Sequence, residues 1–487
     1  MSFGCRNAPR HPSVPAANRA WPSAKRDSFR LGNCGLIRAD MSHFIFRLAL
    51  GLSLAGCAWP SASAVQPNFV IIMADDMGYN ATSAYGGWLK TPHLDRMARE
   101  GMRFTDYHSS GVVCSPTRAG LLTGRYQERA GVPGVINADP DVPDHHRGLW
   151  PSEHTFPELL AKAGYASGVF GKWHLGYKKK FNPMHHGFAE FRGFVSGNID
   201  YISHYDRMEV YDWWDGLNPI EEEGYSTHLI TRHALRFIDE NKSKPFCLYV
   251  AHEAVHSPFQ GPDSPVQRGP KKDRGKKKTP VEEAYVQMMT AMDECVGQVL
   301  DKLIELKLEK NTLVIFCSDN GHAYMGGPEG YRFPLRGKKG TVWEGGHRVP
   351  GIAWWPGGIA PGQVSDEMVI SLDLMTTMLD FAGAKPPKGR ALDGVSLRPV
   401  LLGGGSLGQR QFFWRGQAMR DGQWKYVASP KGGGLFNLKT DLAESMNLAK
   451  RHPARARRMA AALEAWKRDV ANGATPQPDY DTASLNK

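Results

Sequence analysis

The sequence predicts an α/β protein: a large domain in which helices cover a mainly parallel β-sheet, followed by a small C-terminal α+β domain with an antiparallel sheet. Two observations predict the large domain. Short apolar segments end abruptly at polar residues, as buried strands do, and helical patterns lie between them. A third observation predicts the small domain, because the C-terminal region alternates aromatic-rich segments with glycine-containing turns.

Four apolar segments are predicted to form buried strands of the large sheet: residues 69–74, 166–170, 246–251 and 313–317. Polar residues follow all four strands. They are Asp75 and Asp76 after the first, Lys172 and His174 after the second, His252 and His256 after the third, and Asp319 and Asn320 after the fourth. Parallel strands present their carboxyl ends at one edge of a sheet, where α/β proteins bind ligands, so we expect these side chains to converge there.

Capping signals predict two helices between these strands. Thr91 is expected to cap a helix that begins at Pro92 and ends at Gly101. Thr155 and Glu158 fit a capping box at the start of the second helix. Helices that alternate with strands are expected to cover both faces of a parallel sheet.

The chain divides into four predicted segments: a leader (1–64), the large catalytic domain (65–384), the small domain (385–475) and a tail (476–487). Residues 385–389, which contain Pro and Gly, are predicted to link the two domains. The predicted strands of the small domain are 412–414, 424–427 and 435–438, and its predicted closing helix is 454–469.

The leader contains a predicted secretory signal. Met41 is a second start codon, Arg47 supplies a positive charge, and residues 48–58 form an uncharged, mostly apolar run. This run is too short to span a bilayer, and Ala-Ser-Ala at 62–64 is typical of a signal peptidase site. The signal peptide is therefore expected at about 41–64, and residues 1–40 reflect either a misplaced start or a disordered extension.

An alternative route of processing starts from Leu-Ala-Gly-Cys at 54–57, which resembles a bacterial lipobox. In that case Cys57 would carry a lipid anchor and become the mature N-terminus. Both routes predict an exported protein, located in the periplasm or held as a lipoprotein at the outer membrane or cell surface.

The net charge of +11 is distributed unevenly. Arg and Lys exceed Asp and Glu by six in residues 1–64 and by five in residues 261–280, so the rest of the chain is near neutral. A nucleic acid partner is therefore not expected. The basic segment 269–280 is either a solvated loop or a surface that attracts a polyanion.

The most informative segment is Cys-Ser-Pro-Thr-Arg-Ala-Gly-Leu-Leu-Thr-Gly-Arg at residues 114–125. It resembles the signature of the sulfatase family, which is Cys-x-Pro-x-Arg followed by a short helix and a Gly-Arg pair. The resemblance implies the alkaline-phosphatase-like fold, and it implies that a separate maturation enzyme oxidises Cys114 to formylglycine. The alternative is an ordinary buried thiol at this position.

The chemistry of sulfate esters explains these residue types. In a hydrated formylglycine, one hydroxyl attacks sulfur and the second allows sulfate to leave, which divides hydrolysis into two easier steps. The resemblance implies that Arg118, one helical turn after Cys114, hydrogen-bonds this hydrate.

Asp75, Asp76, Asp319 and Asn320 offer only oxygen ligands. Taken alone, each pair would more often cap a helix or form a turn. The resemblance to sulfatases implies that both pairs, together with an oxygen of the modified Cys114, bind a cation. Oxygen ligands favour Ca²⁺, with Mg²⁺ as the alternative, over Zn²⁺.

Gly-Lys-Trp-His-Leu-Gly at residues 171–176 matches a second motif of the sulfatases. The match implies that Lys172 contacts the sulfate as a point charge. It also implies that His174 takes the proton of the hydrate when sulfate is eliminated.

Two further residues are matched to sulfatase patterns. His256 is followed by Ser-Pro, as in the His-x-Pro pattern of the family, and is implied to donate a proton to the leaving alcohol, with His252 as the competing residue. Lys339, in the Gly- and Lys-rich segment 335–346, aligns with a sulfate-binding lysine of the family, with Lys338 as the competing neighbour. Several cations around one anion would stabilise the transition state.

Contacts with the alcohol half of the substrate are predicted for four residues: Asp200, His204, Trp213 and Trp214. The two tryptophans would stack on a pyranose ring, or alternatively they belong to the core. Asp200 would bind sugar hydroxyl groups, or alternatively it caps a helix.

These residues together predict an exported sulfatase that hydrolyses sulfate monoesters of a sulfated sugar or polysaccharide. Galactose- or N-acetylgalactosamine-sulfate units are suggested by resemblance to the branch of arylsulfatase A and N-acetylgalactosamine-6-sulfatase. Two alternatives stay open. One is a phosphonate monoester or phosphodiester hydrolase of the same superfamily, and the other is a non-catalytic glycan-binding lipoprotein.

Overall fold

A computed structural model describes residues 66–476, except residues 325, 329, 330, 332, 430 and 431. The predicted signal peptide and the lipid anchor at Cys57 lie outside the described residues, as do residues 477–487 of the predicted tail. The described residues belong to one compact unit. Among their helices, none combines the length and the apolar character needed to cross a membrane.

The described residues form sixteen strands and nine α-helices. The strands are β1 (Asn68–Ala74), β2 (Met102–Phe104), β3 (Tyr107–His108), β4 (Ala166–Lys172), β5 (Glu190–Phe194), β6 (Trp214–Asp215), β7 (Asn218–Pro219), β8 (Phe246–Ala251), β9 (Thr312–Ser318), β10 (Gly351–Trp354), β11 (Gln363–Ser365), β12 (Val369–Ile370), β13 (Gln411–Trp414), β14 (Ala418–Asp421), β15 (Trp424–Val427) and β16 (Gly434–Asn437). The helices are α1 (Pro92–Glu100), α2 (Cys114–Thr123), α3 (Phe156–Ala161), α4 (Ser226–Asn241), α5 (Val281–Glu305), α6 (Glu344–His347), α7 (Asp373–Ala382), α8 (Arg398–Leu401) and α9 (Pro453–Asn472).

The large sheet has ten strands in the order β11-β2-β10-β9-β1-β8-β4-β5-β6-β7. Its five central strands, from β9 to β5, are parallel, and the four strands predicted from the sequence lie next to one another among them. Antiparallel pairs occur only towards the two edges of this sheet. The prediction of a mainly parallel sheet is confirmed.

Both faces of the large sheet are buried because successive side chains of a strand point to opposite faces. In β1, Phe69 and Ile71 pack into one hydrophobic cluster, with residues of α2, α3 and α7, whereas Val70 and Ile72 pack into a second, with residues of α1, α4 and α5. Helices therefore cover the sheet on both sides, as expected for strands that are apolar along their whole length.

A separate antiparallel sheet, in the order β13-β14-β15-β16, lies near the C-terminus of the chain. Helix α9 packs on it, with the ring of Trp466 stacked on that of Phe413 at a centroid distance of 5.0 Å. The antiparallel sheet and the closing helix were predicted. Strand β14 was not, because Ala418–Asp421 is neither aromatic nor continuously apolar.

The two predicted helices exist, and Thr91 and Thr155 occupy their N-cap positions as predicted, but neither side chain forms a capping hydrogen bond. The backbone N–H groups at the start of α1 donate to the carboxylate of Asp293, on α5, whereas the hydroxyl of Thr91 bonds to Ser83. At the start of α3, the hydroxyl of Thr155 donates to the carbonyl of His186 at 2.6 Å. Partners from elsewhere in the fold replaced the local capping bonds.

Candidate active site

The carboxyl ends of the central strands bring the predicted site residues together. Asp75 and Asp76 follow β1, Lys172 ends β4, and Asp319 follows β9, all at the same edge of the sheet. Cys114 is the first residue of α2, and its thiol lies 3.6 Å from Asp75 Oδ1. These side chains therefore lie close together at one edge of the sheet, as predicted.

Asp75 is fully buried among positive charges. Its Oδ2 accepts hydrogen bonds from Arg118 Nη2, at 3.3 Å, and from Lys172 Nζ, and all three side chains are inaccessible to solvent. Burial alone would raise the pKa of Asp75, but the charges of Lys172, His256 and Arg118 outweigh it and hold this pKa well below its ordinary value. Asp75 is therefore a carboxylate anion in the folded protein.

The carboxylates of Asp76 and Asp319 lie close to each other, and neighbouring positive charges offset their negative charge less fully than that of Asp75. Asp76 Oδ1 accepts from Lys339 Nζ and from Asn320 Nδ2, both at 2.6 Å, and Asp319 Oδ1 accepts from the backbone N–H of Asp76. Burial, reinforced by the negative charge of Asp75, raises the pKa of Asp319 to about 6, and the pKa of Asp76 is also raised. The carboxylates thus repel one another at this edge of the sheet.

This arrangement fits a divalent cation. Ligand atoms of Asp75, Asp76, Cys114 and His256 all lie within 4.8 Å of one another. Within the described part of the chain, the buried Oδ1 of Asn320 has no hydrogen-bond partner. A cation would satisfy this oxygen and neutralise the carboxylates, and a donor set dominated by oxygen is typical of hard cations. His256 is a member of this cluster that the sequence did not predict as a ligand.

The thiol of Cys114 is not activated as it stands. Burial, with the neighbouring Asp75, raises the pKa of Cys114 to about 12, although Lys172 and Lys339 oppose the shift. Lys339 Nζ donates to Cys114 Sγ at 3.4 Å. A thiol with this pKa is almost entirely protonated at neutral pH and is a poor nucleophile.

The backbone is strained at two of the site residues. Asp76 and His174 have φ angles of 61° and 55°, in the left-handed region that favours glycine. Next to His174, Gly171 allows β4 to approach β8, because a Cβ atom there would lie 2.1 Å from the carbonyl oxygen of Ala251. Such strain persists only where the surrounding structure imposes it, and it aims both side chains at the site.

His174 is placed to accept a proton. Its Nε2 bonds to the carbonyl of Ile136 at 2.9 Å, and its buried Nδ1 has no partner among the described residues. Burial and the charge of Lys172 hold the pKa of His174 well below its ordinary value. The imidazole is therefore neutral.

A cavity of about 170 Å³ opens in front of Cys114. His174, His256 and Lys339 line it, as predicted, together with residues that no sequence motif identified, which include Asn137, Tyr177, Asn198 and Arg207. All four lie in loops, where neither periodicity nor a family motif marks them.

The structure distinguishes the competing residues. His256 lines the cavity, with its Nε2 3.6 Å from Asp76 Oδ2, whereas His252 is buried and does not line it. Lys339 reaches Cys114, whereas Lys338 is exposed, and its backbone N–H donates to the hydroxyl of Thr341. The geometry favours His256 and Lys339 in both cases.

The predicted sugar contacts are wrong for three of four residues. Trp213 is a core residue whose ring stacks on His204 at 4.5 Å, and both are buried. The buried carboxylate of Asp200 accepts backbone N–H groups of two chain segments. Buried side chains cannot contact a sugar. Trp214 is half-buried, donates to Asp212 and does not line the cavity.

The buried His204 leads to a prediction about stability and pH. Burial lowers its pKa to about 4, although the hydrogen bond to the carbonyl of Gly224 opposes the shift. Below about pH 6.5 the unfolded chain binds a proton that the folded chain binds only near pH 4, so stability is lost as the pH falls through this window. We expect His204 to contribute about 2 kcal/mol of the loss between pH 7 and pH 5.

Urea unfolding of the variant His204→Gln at both pH values checks this expectation. The free energy of unfolding of the variant should fall less on acidification than that of the wild type. The control His228→Gln changes an exposed histidine of α4 and should follow the wild type. An equal loss in His204→Gln and wild type would contradict the assignment.

A buried charge network supports the segment that carries Lys339. Lys425 Nζ, on β15, lies 3.0 Å from Glu344 Oε1, 2.9 Å from Glu444 Oε1 and 3.0 Å from His347 Nε2. The carbonyl of Glu444 accepts from Arg336, and its side chain accepts from the backbone N–H of Glu344. The antiparallel sheet is thus joined to both ends of the lysine segment.

The same network contains a second cluster of ligand-type residues, His108, Glu344 and His347. The two histidines face each other with a distance of 3.0 Å between their Nδ1 atoms. Arg420 Nη1 lies 2.9 Å from His108 Nε2, and Lys425 lies beside His347. Side-chain cations already occupy the surroundings of this cluster, so it does not fit a metal ion.

Comparisons with known proteins agree with this geometry. Residues 67–384 match the family model described as Sulfatase. The chain is 38% identical to N-acetylgalactosamine-6-sulfatase of Rattus norvegicus over 414 residues, which cover 80% of this chain and 75% of the rat protein. It is 35% identical to arylsulfatase A of Bos taurus over 389 residues, which cover 72% of this chain and 71% of the bovine protein. The crystal structure of Ps i-CgsB in complex with k-i-k-neocarrahexaose matches with a TM-score of 0.75 and 28% identity, over 86% of this chain and 96% of that chain.

A mainly parallel sheet with a cationic pocket at its carboxyl edge defines a hydrolase of anionic esters with the alkaline-phosphatase-like fold. The chain belongs to the sulfatase family. It is a sulfuric ester hydrolase.

Proposed function

We propose that this protein is an exported sulfatase that hydrolyses sulfate monoesters of a sulfated carbohydrate, with Cys114 converted to formylglycine and a bound Ca²⁺. One observation carries the proposal. The ligand atoms of Asp75, Asp76 and Cys114 meet beside Lys339, at the bottom of the cavity. In this proposal the carboxylates of Asp75, Asp76 and Asp319 bind the cation, and the lysines neutralise the charge of the sulfate.

Asp75, Asp76, Asp319 and Asn320 would hold the cation, whose charge when bound favours an anionic oxygen at position 114 and polarises the sulfate. Hydrated formylglycine at position 114 would supply two hydroxyl groups: one would attack sulfur as the bond from sulfur to the ester oxygen breaks, and the other would lose its proton so that the aldehyde re-forms and the bond to the sulfate breaks.

The chain's own residues orient the ester and move its protons. Lys339 lines the cavity and places positive charge beside the sulfate, whereas the buried Lys172 bonds to Asp75, does not line the cavity and acts on the sulfate only through its charge. Arg118 orients Asp75 and Asp319. His174 Nδ1 accepts the proton released at position 114, since that atom is buried and has no partner among the described residues. His256 donates a proton to the leaving alcohol from the wall of the cavity.

The carbohydrate assignment is supported by the relatives. N-acetylgalactosamine-6-sulfatase is named for a sulfated amino sugar, and Ps i-CgsB was crystallised with k-i-k-neocarrahexaose. A galactose- or N-acetylgalactosamine-sulfate unit is accordingly the substrate we propose. Export through the leader, with Cys57 as an alternative lipid anchor, remains part of the proposal on sequence grounds.

Two measurements test the function. Peptide mass spectrometry across Cys114, on protein from its own host, should find a loss of about 18 Da. This loss corresponds to oxidation of the cysteine to the aldehyde formylglycine, whose hydrate is the nucleophile. Matched sulfate and phosphonate monoesters of one alcohol should then be hydrolysed with a preference for the sulfate. An intact thiol would exclude this mechanism, and a preference for the phosphonate would favour the alternative hydrolase.

The proposed cation leads to a prediction about stability. Addition of Ca²⁺ to chelator-treated protein should raise the free energy of unfolding by about 2.7 kcal/mol at a concentration of 100 times Kd. Asp76→Asn should abolish most of this increase, because it removes a ligand charge and keeps the side-chain volume. The control Asp301→Asn alters an exposed carboxylate that pairs with Arg96 and should retain the increase. An unchanged response in Asp76→Asn would exclude this cation site.

A further inference from the structure

A second groove borders the cavity in front of Cys114. Its volume is about 390 Å³, and residues 257–259, Arg268, Lys278 and Val281 contribute to its lining. The groove begins at the residue that follows His256, the proposed proton donor to the leaving alcohol. The residues that line the groove therefore adjoin the side of the cavity at which we place the leaving alcohol.

A short wall separates the groove from the cavity. Asn198 lines the cavity, and its amide nitrogen lies 3.4 Å from His256 Nδ1. On the other side, Asn198 Oδ1 accepts a hydrogen bond from Arg268 Nη1 at 2.9 Å, and Arg268 lines the groove. One amide side chain thus contacts a residue of each compartment, so both are within reach of one oligosaccharide.

The groove has the chemistry of an anion site. Lys278 is exposed, and no carboxylate in the described part of the chain forms an ion pair with it. Val281 is the first residue of the 25-residue helix α5, but Glu282 and Glu283 in its first turn offset the positive end of the helix dipole. The positive charge of the groove therefore comes from Arg268 and Lys278.

The basic wall of the groove is held by buried bonds. Asp200 Oδ2 accepts from the backbone N–H groups of Gln267 and Arg268, at 2.7 and 3.0 Å, and from Gln260 Nε2 at 3.0 Å. Phe259 also lines the groove, and its half-buried ring packs against Tyr324 and Tyr285. A groove that combines ordered cationic residues with an aromatic residue suits a charged sugar.

We propose that this groove binds an anionic group, a sulfate or a carboxylate, on the sugar residue next to the one that is desulfated. This proposal rests on the proposed function and narrows its substrate to glycans with at least two negative groups. Asp200, which was expected to contact a sugar directly, acts instead as a positioning residue for Arg268.

Steady-state kinetics with Lys278→Gln test the proposal. The substrates are three disaccharides that carry the same scissile sulfate and differ on the neighbouring residue, which bears a second sulfate, a carboxylate or no charge. For wild type, KM should be lower for a substrate with the second anion. Lys278→Gln should reduce this KM advantage about fivefold, as expected for one charge-assisted contact in a partly solvated groove. The two anionic substrates reveal whether sulfate or carboxylate is preferred.

The control is Lys277→Gln, which removes the same charge from the adjacent exposed residue outside the groove. It should leave the KM advantage as in wild type. Equal effects of the two variants would overturn the proposal of a binding site in the groove, because they would show that only the general positive charge of this segment attracts the substrate. Added salt should reduce the KM advantage of the doubly charged substrates, and the reduction should be larger for wild type than for Lys278→Gln.

A binding measurement separates this proposal from the proposed function. Calorimetric titration of the doubly sulfated disaccharide into Cys114→Ala, alone and combined with Lys278→Gln, needs no turnover. Weaker binding of the double variant supports the groove even if no sulfate is hydrolysed. Equal binding overturns the groove even if hydrolysis occurs, and hydrolysis itself is judged with the singly charged substrate.

Discussion

Replacement of Cys114 by alanine is expected to lower the hydrolysis of sulfate esters at least ~10⁴-fold, because it removes the side chain in the cavity that we propose as the precursor of the nucleophile. Substrate binding should be less affected, since Lys339 and His256 still line the cavity. The measurement is kcat with a chromogenic aryl sulfate, together with KM for the same compound.

The matched control for this experiment is Cys295→Ala. Cys295 is also a buried free thiol, but it donates to the carbonyl of Thr227 between α4 and α5, far along the chain from any residue of the cavity. This variant should retain wild-type kcat after allowance for the active fraction. Comparable activity in Cys114→Ala and Cys295→Ala would refute a role for Cys114 in the reaction.

Replacement of Lys425 by methionine is expected to destabilise the protein by about 3–5 kcal/mol. Lys425 is fully buried, and its removal leaves Glu344 and Glu444 facing each other without their shared cation. Burial would raise the pKa of Glu344, but Lys425 and Arg420 outweigh it and hold this pKa well below its ordinary value. Methionine matches lysine as far as Cε and lacks only the ammonium group, so the loss measures mainly the charge rather than the packing of the chain. Urea unfolding at neutral pH measures the change.

Two further variants make this result specific. Lys439→Met alters an exposed lysine beside β16 and should change stability by less than about 0.5 kcal/mol. Adding Glu444→Gln to Lys425→Met removes one of the stranded charges and should recover part of the loss. If the double variant were as unstable as the sum of the single variants predicts, the three side chains would not act as one network.

The network also has a consequence for catalysis. Glu444 bonds to the backbone at Glu344 and to Arg336, at the two ends of the segment that carries Lys339. In the same segment, a Cβ at Gly346 would lie 1.9 Å from the carbonyl oxygen of Thr341, so the chain folds tightly there. Loosening this segment should displace Lys339 and raise KM for sulfate esters in Lys425→Met.

Parts of the fold could be predicted because their signals are local. Strands β1, β4, β8 and β9 are short, continuously apolar runs, since both faces of a parallel strand are buried, and each stops where the chain reaches solvent or the site. Helix starts at Pro92 and Phe156 could be read from the sequence as well. Their actual hydrogen bonds could not, because Asp293 lies two hundred residues from His93 and is brought there by packing.

Within the candidate site, the residues that motifs identify are those closest to the reacting atoms. Cys114, Lys172, His174, His256 and Lys339 each stand in a short segment that matches a motif of the sulfatases. Asn137, Tyr177 and Arg207 stand in loops of ordinary composition, and only the folded chain brings them to the cavity. The aromatic run at Trp213 gave the opposite error, a predicted sugar contact that the structure does not have. An aromatic run is equally typical of a surface that stacks on a sugar and of a hydrophobic core.

The sequence by itself determined the mainly parallel sheet, the antiparallel sheet near the C-terminus, membership of the sulfatases and the identity of the residues around Cys114. Spacing and residue type suffice for these because strand ends and motif loops are encoded by contiguous residues. Only the tertiary structure decided that Asp200, His204 and Trp213 are buried, that His256 rather than His252 reaches the cavity, and that Lys425 joins the antiparallel sheet to the segment that carries Lys339. Burial and charge pairing depend on what distant segments bring into contact, and no local pattern records that.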